Sequence, residues 1–196
     1  MIRASAPDKL SQRRLLRQRL AGRREAERMA ASRRLAERLV LLPEWRGAKG
    51  VVLYASLPSE PDTDLLFWRA RTEGKRAFYP FFRGEGRSLG FAEVEALESL
   101  HPGPLGFREP SPAGKGQTLE ADLMLIPGLG FDQGGMRLGR GRGFYDRTLA
   151  EIGAGLLRLG LFFSWQELPR VAAEAHDERM NLLVTEREVI RIGRQR

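Results

Sequence analysis

Two hydrophobic periods alternate along this chain, and the switches between them mark out its elements. Residues 5–42 follow a helical period. Leu10, Leu16 and Leu20, then Leu35, Leu39 and Leu42, recur near helical spacing, with arginine filling the opposite face. This segment is predicted as two helices joined near Gly22. Ser5 with Asp8 fits a capping box, Pro7 suits a first turn, and Pro43 is expected to end the second helix. The pattern then changes to short continuous apolar runs. Residues 50–55 read as a first strand, and Asp62-Thr63-Asp64 as the cap of a helix carrying Leu65, Leu66 and Trp68 and ended by Gly74. Ala77-Phe78-Tyr79-Pro80 reads as the next strand. Strand, loop, helix, strand in that order predicts an α/β fold, a parallel sheet with right-handed crossovers and ligands beyond the carboxyl ends of its strands. Residues 81–121 are rich in glycine and proline and predict a loop-rich flap, with an edge strand near Leu89-Gly90-Phe91. Further strands are expected over 123–126, 156–163, 182–185 and, at an edge, 189–192.

The densest chemistry lies in residues 122–149. The apolar run Leu123-Met124-Leu125-Ile126 ends at Pro127-Gly128. A loop follows with Gly128, Gly130, Gly134, Gly135, Gly139, Gly141 and Gly143 and with Arg137, Arg140 and Arg142. Phe144-Tyr145-Asp146-Arg147 can then start a helix. A strand, a glycine-rich cationic loop and a helix start together form a phosphate holder. Glycine lets several N–H groups converge on one anion, the helix N-terminus adds partial positive charge, and arginine supplies forked donors. The spacing of Gly139, Gly141 and Gly143 is not the dinucleotide fingerprint, and a glycine-rich surface turn with solvated arginines is the plain alternative. Lys9 and Arg13, four apart, share a helix face. Glu60 lies in the loop after the first strand.

Composition narrows the function further. The chain has 196 residues, 42% hydrophobic and 30% charged, enough for one domain with a substantial core. Cysteine is absent, which excludes disulfides, thiolate nucleophiles and cysteine metal sites, and with only His101 and His176 a multi-histidine zinc site is disfavoured. A metal would be magnesium on carboxylates and phosphate oxygens. The net charge of +8, with four lysines among 33 basic residues, favours anionic partners. The basic N-terminus lacks the apolar core of a secretory signal and no run suits a membrane span, so the expectation is a cytoplasmic protein.

Taken together, four blocks in order identify a resemblance. They are Lys9-x-x-x-Arg13, Ser59-Glu60, the stretch from Pro127 to Arg147, and His176-Asp177 followed by Val184-Thr185-Glu186. The chain resembles the 5-formyltetrahydrofolate cyclo-ligases, also called 5,10-methenyltetrahydrofolate synthetases, over almost its whole length. The resemblance implies a single domain over 1–196, three-layer α/β/α with a mostly parallel central sheet and an N-terminal helical segment. It implies ATP- and Mg2+-dependent closure of 5-formyltetrahydrofolate to 5,10-methenyltetrahydrofolate through a phosphorylated formyl group. ATP contacts are expected at Lys9, Arg13, Gly135, Arg137, Leu138, Gly139, Arg140, Gly141, Arg142 and Gly143. Arg140, Arg142 and Tyr145 are expected to act in catalysis. Folate contacts are expected at Glu60, Leu57, Phe144, Tyr145 and Trp165, and magnesium at Asp146 and Asn181. Asn181 stands where the family commonly has a second aspartate, and Phe144 where tyrosine is usual. A monomer without a membrane or nucleic-acid partner is expected. The rival readings are an ATP-dependent enzyme of this fold on another small anion, and a basic RNA-binding protein.

Overall fold

The computed structural model describes residues 8–85, 87–111 and 119–193. Two helices open the chain, α1 over Lys9–Ala21 and α2 over Glu25–Leu39, on either side of Gly22. Asp8 caps α1, its Oδ1 accepting from the Ser11 N–H at 2.7 Å; Ser5 and Pro7 lie outside the described residues. Pro43 does not terminate α2, which ends at Leu39. It opens a further short helix, α3 (Pro43–Gly47), at the first turn, where its missing N–H costs nothing.

Strand β1 (Gly50–Val52), helix α4 (Asp64–Thr72), β2 (Arg76–Phe81) and β3 (Gly90–Glu93) follow. A small antiparallel pair, β4 (His101–Pro102) and β5 (Arg108–Glu109), rises from the segment expected as a flap. Then come β6 (Leu123–Ile126), the paired short strands β7 (Gly130–Phe131) and β8 (Arg137–Leu138), helix α5 (Phe144–Ile152), β9 (Leu157–Leu161), β10 (Leu182–Val184) and β11 (Val189–Arg191).

Among the described residues seven strands form the main sheet, in the order β11-β10-β9-β6-β1-β2-β3. The five inner strands are parallel, with Val51 opposite both Ala77 and Leu123, Leu125 opposite Leu159, and Gly160 opposite Leu183. Both edges, β3 and β11, are antiparallel. The inner strands read as unbroken apolar runs because both of their faces are covered. Val51, Leu123 and Leu125 pack with Leu35, Leu39, Trp45, Leu66 and Phe67 beneath α2, α3 and α4. Val52, Met124 and Ile126 turn the other way, against Phe131, Leu149 and Phe162 on the α5 side. This is the expected three-layer arrangement. Each fully buried leucine here is worth about 1.5–3 kcal/mol.

Helix α1 belongs to neither layer. Leu16 and Leu20 pack on Leu129, Leu138, Leu168 and Val171, and Gln12 donates to Arg170 O at 2.7 Å while accepting from the Ala172 N–H. The helix is thereby fixed across the carboxyl ends of the strands, with Lys9 and Arg13 at its first two turns. Chain order leaves β1 toward β2 on one side and toward β6 on the other. The β1/β6 junction is therefore the topological switch point, where α/β sheets open a crevice.

Candidate active site

A cleft of about 660 Å3 occupies that crevice. Ala55 and Leu57 reach it from the end of β1, Pro127 and Gly128 from the end of β6, Lys9, Leu10 and Arg13 from α1, and Leu105 and Phe107 from the β4–β5 hairpin. The loop from Gly139 to Gly143 forms one wall. Gly141 has φ +110° and Gly143 φ +65°, both in the region that favours glycine. Gly143 is the N-cap of α5, so the first N–H groups of that helix have no partner within it and point out of its cleft-facing end. Arg13 fastens this wall to α1, its Nε donating to Gly139 O at 2.9 Å.

Cations along the cleft meet carboxylates. Lys9 Nζ lies 2.7 Å from Asp177 Oδ2 and 3.3 Å from Glu174. Arg137, its side chain 3% exposed, donates from Nη2 to Asp146 Oδ1 at 2.9 Å; its guanidinium lies 5.5 Å from the Tyr145 ring centre, and its Nε is buried without a partner. Arg140 donates from Nε to Glu60 Oε1 at 2.9 Å and from Nη2 to Ser59 Oγ at 3.0 Å. Arg142 stands at the rim, 3.6 Å from Glu85 and well exposed.

These environments push the acids apart. Burial raises the Glu60 carboxyl above its ordinary range, and Arg140 only partly opposes it. Burial would also raise Asp177, but hydrogen bonds from Lys9 and the Glu174 N–H carry it below the usual carboxylate range. Burial, reinforced by the neighbouring Glu60 charge, raises the Tyr145 hydroxyl, so this phenol stays protonated at neutral pH and can donate.

The structure thus brings together Lys9, Arg13, Leu57, Glu60, Arg137, Gly139, Arg140, Gly141, Arg142, Gly143, Phe144, Tyr145 and Asp146 from distant parts of the chain. Four expected residues lie elsewhere. Gly135 is in the β7–β8 turn, its N–H bonded to Asp132 O and its carbonyl accepting from Met180. Leu138 faces the core beside Leu16. Trp165 stacks on Phe163 at 4.5 Å and lines a separate hollow. Asn181 spends its side-chain oxygen on the Arg158 N–H at 2.8 Å, and it precedes β10, at the opposite end of the sheet. For Asn181 the short distance along the chain from His176-Asp177 was misleading: those two residues line the cleft, and the chain then runs away from it to the start of β10 at Leu182.

Cleft residues that sequence reasoning passed over include Tyr54, Pro80, Leu89, Leu105, Phe107 and Glu174. Pro80 follows from the strand-end rule. Leu105 and Phe107 have no sequence signal, because only the β4–β5 fold turns them inward.

A family model described as the 5-formyltetrahydrofolate cyclo-ligase family matches residues 5–186. The chain belongs to the 5-formyltetrahydrofolate cyclo-ligase family. A probable cyclo-ligase of Schizosaccharomyces pombe is 31% identical over 79% of this chain and 83% of its own length. The cyclo-ligase of Mycolicibacterium smegmatis is 34% identical over 69% and 72% respectively. The solved structure of 5,10-methenyltetrahydrofolate synthetase from Aquifex aeolicus superposes with a TM-score of 0.83 at 30% identity, covering 96% of this chain and 94% of that one. The cyclo-ligase family is one of ATP-dependent ligases acting on a folate. No helix among the described residues is long and apolar enough to cross a membrane.

Proposed function

We propose that this chain closes 5-formyltetrahydrofolate to 5,10-methenyltetrahydrofolate at the expense of ATP, and that the cleft at the β1/β6 junction is where it does so. The observation that carries the reading is the division of the cleft. One wall is glycine loop, helix N-terminus and arginine. The other is apolar, formed by Leu57, Pro80, Leu89 and Phe107, with one buried carboxylate, Glu60. The first suits a triphosphate, the second a flat heterocycle with N–H groups.

An amide-like formyl oxygen is a poor leaving group. Its attack on the γ-phosphorus of ATP forms the O–P bond and releases ADP. N10 then adds to the activated carbon and gives up its proton to the departing phosphate or to water, the C–O bond breaks with its electrons going to inorganic phosphate, and the methenyl bridge is left. Phosphoryl transfer of this kind needs positioning and neutralisation of charge. In this reading Lys9, Arg13, Arg140, Arg142 and the N–H groups at Gly139–Gly143 hold the phosphates. Arg137 orients Asp146 from beneath. Tyr145 donates toward the reacting oxygen, and Leu57 and Phe144 flank the rings.

Magnesium fits as a partner of the nucleotide. Asp146 and Asp177 both line the cleft, and no cluster of three metal-ligating side chains occurs among the described residues. One or two carboxylates completed by phosphate oxygens is the usual magnesium arrangement. The ion would neutralise phosphate charge. Asp146→Asn is expected to raise the magnesium concentration needed for activity about tenfold; an unchanged titration would remove Asp146 from that role.

The reaction is tested by absorbance at the methenyl-folate band. Growth that requires protein, Mg-ATP and 5-formyltetrahydrofolate together is the expected result. ATP binding without growth would mean that the fold has kept its nucleotide and changed its other substrate.

A further inference from the structure

Among the described residues two ion pairs join the glycine loop to the other half of the cleft: Arg142–Glu85, exposed at the rim, and Arg140–Glu60, whose carboxylate is buried inside. Lys9–Asp177 and Arg137–Asp146 stand wholly on the cationic side. Arg140 belongs to the glycine loop, while Glu60 belongs to the loop after β1, among Tyr54, Leu57 and Tyr145. Glu60 is fully engaged: Oε1 accepts from Arg140, and Oε2 accepts from the Leu57 N–H at 3.1 Å. Its side chain is 5% exposed against 38% for Arg140, so the carboxylate is fixed and the guanidinium is the partner with room to move.

We propose that the Arg140–Glu60 ion pair is a latch shared by the two substrates, so that nucleotide and folate bind this cleft with positive cooperativity. The proposal rests on the assignment of phosphate and folate to the two walls. A phosphate that takes the Nε–Nη2 edge of Arg140 must take it from Glu60. A heterocycle whose N–H groups take the side of Glu60 Oε1 that the guanidinium now holds must displace that guanidinium. Each ligand alone bears the cost of opening the pair, and the second meets it already open. A buried carboxylate stripped of its cation is a costly state that new N–H donors relieve, so nucleotide binding leaves Glu60 in need of what folate supplies. Ser59, accepting from Arg140 Nη2, helps hold the latch shut.

The test is calorimetric binding of a non-hydrolysable ATP analogue with and without 5-formyltetrahydrofolate. In the unaltered protein folate is expected to tighten the analogue about tenfold, and the analogue to tighten folate by the same factor. Glu60→Gln is expected to bind the analogue more tightly than the unaltered protein in the absence of folate, and to lose the coupling. Ser59→Ala should shift analogue binding in the same direction by less. Independent binding of the two ligands in the unaltered protein would overturn the latch, as would a Glu60→Gln protein with unchanged or weaker analogue binding and coupling intact. The unaltered protein and Ser59→Ala decide the matter even if Glu60→Gln does not fold. Arg13→Ala separates the two readings: analogue affinity unchanged by it would remove the nucleotide from the cleft and end the site assignment itself. Loss of coupling alone leaves that assignment standing.

Discussion

Two hollows of nearly equal size are both lined by arginine. One is the cleft, about 660 Å3; the other, about 600 Å3, lies between α2 and Trp165 and is lined by Arg23, Arg34 and Arg187 with Glu27 and Ser164. Their charge does not distinguish them. Their construction does. The cleft draws on residues from α1, the ends of β1 and β6, the glycine loop, α5 and the β4–β5 hairpin, and its cations are held by carboxylates on other segments. The second hollow is the outer face of one helix against two turns, at 164–165 and at Arg187 between β10 and β11. Arg34 and Arg187 are exposed there, and Arg23 lies over the Trp165 ring at 4.8 Å. A basic composition alone would rank the two alike; fixed donors and backbone N–H groups assign binding to the first.

The sharpest way to break this comparison is to alter backbone in one hollow and charge in the other. Gly141 needs φ +110°, which a β-branched residue resists. Gly141→Val is expected to lower kcat/KM about 100-fold, because the N–H groups of the loop lose their alignment. Arg34→Ala with Arg187→Ala should leave kcat/KM within about twofold, since side chains this exposed on a surface contribute little. Equal losses in steady-state kinetics would mean that the second hollow also serves the reaction.

Stability should separate the hollows next. Arg137→Ala leaves Asp146 half-enclosed and without its cation, at a cost of about 3 kcal/mol. Arg187, its side chain 77% exposed, should cost under about 0.5 kcal/mol when replaced by alanine. Urea titrations of the two variants check this, and comparable losses would contradict the view of Arg137 as a buried support.

The sequence was most legible where one local rule decided the structure. The apolar run at 123–126 became β6, and the first three residues of the run at 50–55 became β1, because strands covered on both faces have no polar alternation to hide. Gly139, Gly141 and Gly143 marked the loop because positive φ and open backbone leave a compositional trace. Where the site depends on which way a side chain turns, the same reasoning fails. Leu138 neighbours two phosphate-loop positions in sequence, yet it is in a strand and faces the core. Trp165 follows a strand end, but its ring stacks on Phe163 beneath Arg23 and packs with Leu16 and Leu20 of α1, outside the cleft. Pro43 is a helix breaker only inside a helix, and here it stands at a first turn.

A smaller effect distinguishes the acids within the cleft by pH. Glu60 has its folded pKa raised from 4.5, so above pH 4.5 the native state keeps a proton that the unfolded chain has lost. Stability should therefore fall as pH rises from 4.5 through the folded value, and Glu60→Gln should remove that decline. Asp177 has the opposite sign. Its folded pKa lies below 3.8, so its contribution is complete above 3.8 and is lost as pH falls through the folded value; Asp177→Asn should flatten that acid limb. Unfolding free energies measured across this range decide both, and parallel curves for Glu60→Gln and the unaltered protein would mean that Glu60 is more hydrated than its 5% side-chain exposure suggests.

No effect on the reaction is expected at Trp165, where the comparison of hollows is most specific. Its Nε1 is buried without a hydrogen-bond partner, one ring face is stacked on Phe163 at an interplanar angle of 18°, and the other is covered by Arg23. Trp165→Phe keeps an aromatic ring against Phe163 and removes the orphaned donor. Lost contact area opposes the relief of an unpaired N–H, whose burial costs about 1–3 kcal/mol. The two terms are of similar size, so stability should change by less than about 1 kcal/mol in either direction. The Michaelis constants for ATP and folate should not move, because neither the ring nor its hollow opens into the cleft. A selective rise in the folate constant, with that for ATP unchanged, would return Trp165 to the folate wall and require the 163–167 turn to move when substrate binds.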